Sequence, residues 1–144
     1  MKLTVDLLPR GAWGRNLSRT LRRKDWERLR DECLERARHR CVVCWASGRL
    51  DAHEVWEFDI EKRVQRLEDI VALCKSCHWV KHMRFAERSG FGKHAREHFL
   101  RVNRCGLELF VAHYLAALDL FERRSGVEEW EMDLGKFGLE VYDG

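Results

Sequence analysis

The sequence predicts a mixed α+β fold, a small cross-linked ββα core with additional N- and C-terminal helices around it. Three observations lead there. Two Cys-x-x-Cys pairs, Cys41/Cys44 and Cys74/Cys77, bracket a stretch that reads as a hairpin. Apolar residues recur at spacings of three and four on both sides of that stretch, the signature of helices that pack by one face. The 144 residues are 45% apolar and 35% charged with a single proline, which suits one folded domain and argues against both disorder and a membrane span.

Taken in order, residues 2–8 alternate, with Leu3, Val5 and Leu7 on one side, and predict a short strand that Pro9, Gly11 and Gly14 end. From Lys24 to Arg38, Trp26, Leu29, Cys33 and Ala37 mark the inner face of a helix, with Cys33 as a small core residue. Ser47-Gly48 offers a turn, residues 49–58 read as a strand, and a polar turn near Asp59 to Lys62 leads to a second strand at Val64–Leu67. A short apolar segment, Ile70–Leu73, runs into the second cysteine pair. Ser76 is placed to cap a helix reaching Ser89, where Gly90 ends it. On that helix His78 and His82, four apart, share a face. Two further helices follow. One, Lys93 to Asn103, has Ala95, Phe99 and Val102 inward, and one after Gly106 carries a broad stripe from Leu107 to Phe121. Trp130, Met132 and Leu134 alternate and suggest an edge strand beside residues 2–8. The chain thus divides into an N-terminal strand and basic helix (1–40), a core (41–90), and C-terminal helices with an acidic tail (91–144), all within one domain.

Charge is unevenly spread. Residues 10–40 hold eleven Arg/Lys against five Asp/Glu, residues 75–104 hold eight against two, and residues 119–144 hold three against eight. Two basic segments flanking the Cys/His region would attract a polyanion such as nucleic acid. The N-terminus has no continuous apolar segment of the secretory kind, so a cytoplasmic, reducing setting is expected. There, paired cysteines are better explained by metal than by disulfides. Two tight turns with paired thiolates supply the four soft ligands that tetrahedral zinc prefers. That leaves His53, Glu54, His78 and His82 for a second site. His94, His98 and His113 lack cysteine or carboxylate partners at metal-binding spacing and read as surface or packing histidines.

Cys41-x-x-Cys44, Leu50-Asp51-Ala52-His53-Glu54-Val55, Leu73-Cys74-Lys75-Ser76-Cys77-His78 and Lys81-His82 together resemble the HNH endonuclease family. The resemblance implies a ββα-metal core stapled by a structural Zn2+ on Cys41, Cys44, Cys74 and Cys77. It further implies that His53, His78 and His82 hold a catalytic divalent ion, Mg2+ or Mn2+ with Zn2+ as an alternative. Catalysis would fall to His53, His78, Glu54 and Asp69. Glu54 stands where that family carries its general-base histidine, and Asp69, nine residues before His78, where it carries an asparagine. Glu54 would activate water or bind the ion, and Asp69 would orient. One geometric question arises at once, because neighbouring strand residues point to opposite faces. The substrate implied is DNA, with RNA not excluded, held at the backbone by Lys75, Lys81, Arg84 and Arg88.

Two other readings of the same residues remain in view. A zinc-stabilised nucleic-acid-binding module would use the same lysines and arginines without catalysis, with Trp45, Trp56 or Trp79 available to stack or pack. Cys74-Lys75-Ser76-Cys77-His78 also spells the c-type haem attachment pattern, but that leaves Cys41 and Cys44 unexplained.

Overall fold

A computed structural model of the chain describes residues 1–141. Its centre is an antiparallel hairpin, β1 (Leu50–Asp59) and β2 (Val64–Cys74), with β3 (Glu131–Asp133) added parallel to β2 on the far side. β1 is therefore a sheet edge. The connecting turn is fixed where Lys62 N–H donates to Asp59 Oδ1 and Arg63 takes a left-handed backbone.

The second strand is longer than the sequence suggests, because Val64–Leu67 and Ile70–Leu73 belong to one element. Val55 pairs with Asp69 and Trp56 with Leu67, so Glu68 has no partner and forms a bulge. The extra residue resets the alternation of side chains. Leu67, Ile70 and Ala72 all reach the same buried cluster, while Val71 and Leu73 reach the one on the other face.

Helices cover both faces. On one, α1 (Leu17–Thr20) and α2 (Arg23–Arg36) bury Leu17, Leu29 and Cys33 against β2. On the other, α3 (Lys75–Lys81), α4 (Met83–Arg88) and α5 (Gly92–Asn103) bury Val80, Met83, Ala95 and Phe99. The helix expected from Ser76 to Ser89 is broken at His82, which leaves helical geometry at φ −106°, ψ 54°. Its cap is Cys74, whose sulfur accepts from Cys77 N–H, and not Ser76.

α6 (Leu107–Arg124) packs on α5 through Phe110, whose ring meets Phe99 edge-on at 5.2 Å. Of the expected stripe only Phe110 and Phe121 are buried, and Leu107, Val111 and Leu115 are exposed. The helix lies on the outside of the fold with one face covered.

Residues 2–8 do not form a strand. Leu3 and Val5 are buried as their alternation requires, but their backbone is held by side chains. Leu3 N–H donates to Asn103 Oδ1, Asn103 Nδ2 donates back to Leu3 O, and Val5 N–H donates to His113 Nε2. These bonds satisfy the segment without a sheet edge. The tail strand accordingly pairs with β2 and not with this segment. Among the described residues, no helix is long and apolar enough to cross a membrane.

Candidate metal centres and cleft

The two cysteine pairs converge. Cys41, Cys44, Cys74 and Cys77 bring their sulfurs within 4.8 Å of one another, a cluster compatible with a structural metal such as zinc. The first pair sits on a knuckle fixed by Cys41 N–H to Ala46 O and Val42 N–H to Ala72 O. The second spans the junction of β2 and α3. A hydrogen bond from Cys77 pulls the Cys41 thiol down to about 4, and the same bond to Cys41, with burial, pushes Cys77 up. Burial raises Cys74 to about 11. Four crowded sulfurs cannot all ionise by themselves, and a cation between them removes that obstacle.

His98 was not expected here. Arg101 Nη2 donates to its Nδ1, so Nε2 carries the proton and points at Cys77 Sγ, 3.1 Å away. An N–H aimed at a ligating sulfur orients it and spreads its charge. The signal was His98 standing four residues from His94, one helical turn, on the helix that packs against α3.

His53 of β1, His78 of α3 and His82 at the α3–α4 break form a second cluster, with ligand nitrogens within 4.8 Å of one another and ring centroids 4.9 to 5.3 Å apart. The break at His82 separates two helices that would otherwise be continuous. Burial, reinforced by the neighbouring imidazoles, lowers His53 to about 2 and His82 to about 4. Both are neutral at pH 7, the form that ligates a metal.

Asp51 is the residue the sequence reading missed. Its Oδ2 accepts from His78 Nδ1–H at 2.9 Å and lies 3.9 Å from Lys75 Nζ. That bond sets the tautomer and leaves His78 Nε2 free for the cluster. Two residues from His53 on one strand, it shares a face with it, and this spacing was the available clue.

Glu54 and Asp69 do not join the imidazoles. The pleat sends Glu54 to the opposite face of β1, where its carboxylate accepts from Leu17 N–H at 3.0 Å. Burial raises Glu54 to about 7, against hydrogen bonds from Leu17 and Trp56 that favour its charge. Asp69 sits exposed beside the bulge and accepts from Ile70 N–H, and its charge is felt at Cys33.

A cleft of about 750 Å³ runs along the free edge of β1 and is lined by His53, Glu54, His78 and His82. Of the four expected phosphate contacts it includes Lys75 alone. Lys81 donates to Thr4 Oγ1 and Asp6 Oδ2, Arg84 lies over the Phe121 ring, and Arg88 is exposed at the end of α4. The other cations of the cleft are Arg15, Arg30, Arg49 and Arg124.

In comparisons with known proteins, no family model, no curated protein and no solved structure matches the chain.

Proposed function

We propose that the protein is a metal-dependent HNH-type endonuclease that hydrolyses phosphodiester bonds in DNA. One observation carries the reading: three imidazoles from β1, α3 and the helix break converge in a cleft lined by Arg and Lys. His53, His78 and His82 would hold a divalent ion, which when bound would stabilise the charge that builds on a phosphate under attack by water. With Glu54 on the other face the donors are all nitrogen, which favours Zn2+ over the more oxygen-seeking Mg2+ and Mn2+. Asp51 would hold His78 in the ligating tautomer. Arg15, Arg49, Arg124 and Lys75 would seat the phosphate backbone.

A specific observation favours a second reading, a non-catalytic zinc-stabilised nucleic-acid-binding module with a degenerate site. Glu54, the one carboxylate at the position of the general base, is engaged with Leu17 and turned from the imidazoles. A plasmid-cleavage assay separates the two. The nuclease nicks or cuts supercoiled DNA with Mn2+, Zn2+ or Mg2+, and His78→Ala or His53→Ala abolishes this while the four-cysteine metal is retained. Salt-sensitive DNA binding with no cleavage under any cation would establish the second reading. Glu54→Gln loses cleavage if Glu54 activates water and keeps it if the carboxylate only anchors α1.

A further inference from the structure

We infer that Trp45, at the tip of the first cysteine knuckle, is a stacking platform for an unpaired nucleotide of the bound DNA. The inference rests on the nucleic-acid reading above and adds a contact outside the cleft. The tryptophans differ in what covers them. Trp79 is stacked between neighbours, with ring centroids 5.6 Å from Phe85 and 4.8 Å from Phe91, and Trp56 is half-buried along the cleft. Trp45 is 71% exposed and, among the described residues, has no ring partner.

Its backbone is also unusual. Trp45 has φ +67°, a left-handed conformation that bulky residues rarely adopt and that Gly or Asn would enter at less cost. The turn is nevertheless fixed, because Trp45 N–H donates to Cys41 O and Arg40 Nη1 donates to Trp45 O at 3.1 Å. A large apolar ring is therefore held outward on a knuckle fixed by these hydrogen bonds.

Charge selects the occupant. Residues 36–50 contain Arg36, Arg38, Arg40 and Arg49 and no Asp or Glu, and none of these arginines forms an ion pair among the described residues. Arg49 also lines the cleft, so the cationic surface runs from the knuckle to the imidazoles. A bare π-face beside the Arg40 guanidinium, in a stretch whose arginines carry no carboxylate partner among the described residues, fits a base and its phosphates. Bases in a duplex are already stacked on each other, so the nucleotide must be unpaired.

The test uses the full, metal-loaded protein and fluorescence anisotropy with three labelled DNAs: a blunt duplex, the same duplex with a single-stranded overhang, and oligo(dT). Trp45→Ala is expected to weaken the overhang and oligo(dT) complexes on the order of ten-fold while leaving the blunt duplex unchanged, and Trp45→Phe to keep most of the affinity. Equal binding of all three probes by Trp45→Ala and wild type overturns the inference, as does an equal loss on all three or a wild-type protein that binds none. A protein that binds overhangs through Trp45 yet cuts nothing leaves this contact standing and removes the nuclease. Cleavage by the wild type, with overhang and oligo(dT) affinities unchanged in Trp45→Ala, does the reverse.

Discussion

Val5 N–H donates to His113 Nε2 at 2.9 Å, so the N-terminal segment depends on an imidazole being neutral. Burial lowers the pKa of His113 from its ordinary value, with Lys81 adding to the effect and Asp6 opposing it. A depressed folded-state pKa means that the native state binds fewer protons than the unfolded chain. The stability from this contact is therefore fully present above the ordinary histidine range near pH 6.5 and is lost as pH falls through the depressed value. His113→Gln, whose carbonyl accepts the same bond without titrating, should flatten this acid-side loss, worth about 1 kcal/mol for one hydrogen bond. Urea unfolding at pH 7.5 and pH 5 checks it, and parallel slopes in both proteins would refute it. His98 and Asp51 act through the side chains they touch. His98→Ala should weaken retention of the cysteine-bound metal by roughly ten- to a hundred-fold, read by chelator competition with a zinc indicator. Asp51→Asn should reduce ion affinity at the imidazoles by a similar factor without changing that retention.

α6 separates burial from pattern. Phe110 is packed against Phe99, so Phe110→Ala should cost about 3–5 kcal/mol, whereas Leu115→Lys on the exposed face should change stability by less than about 0.5 kcal/mol. Denaturation midpoints of the two variants decide this. Helical spacing in the sequence located α6 but could not say how much of its apolar surface would be covered, since that depends on which neighbours lie beside it. The span of α2 and the two cysteine turns were legible for the opposite reason, because local spacing determines them. Glu68 was not. A bulge is set by how β2 must meet β1 and two helical layers at once, and nothing in the local alternation marks it. Residues 2–8 follow the same logic: their apolar alternation is real, yet the hydrogen-bond partners lie on helices a hundred residues away. At the candidate site, His53, His78 and His82 were legible from spacing and resemblance. Asp51 was not, because it had to be seen against His78 on α3, and Glu54 was misplaced because the pleat of β1 outweighs adjacency in sequence.

The described residues bring together a sheet edge, a cationic cleft and two clusters of metal-binding type. If DNA lies along that cleft, its affinity should fall linearly with salt on a double-logarithmic plot. Arg49→Ala should lower the slope by about one unit, as expected when a single phosphate is deprived of its guanidinium. An unchanged slope would remove Arg49 from the interface. Cys74 has a wider consequence. It ends β2, opens α3 through its sulfur, and belongs to the cysteine cluster, while His78 lies one turn further along the same helix. Loosening a cation held at those sulfurs would therefore free the start of the segment that presents His78. The two ions would be thermodynamically linked, and linkage is reciprocal: filling the imidazole cluster should tighten zinc at the cysteines by the same factor that zinc tightens the second ion. If the proposed reading holds, a chelator would silence cleavage by two routes, one of them acting through the cysteines alone.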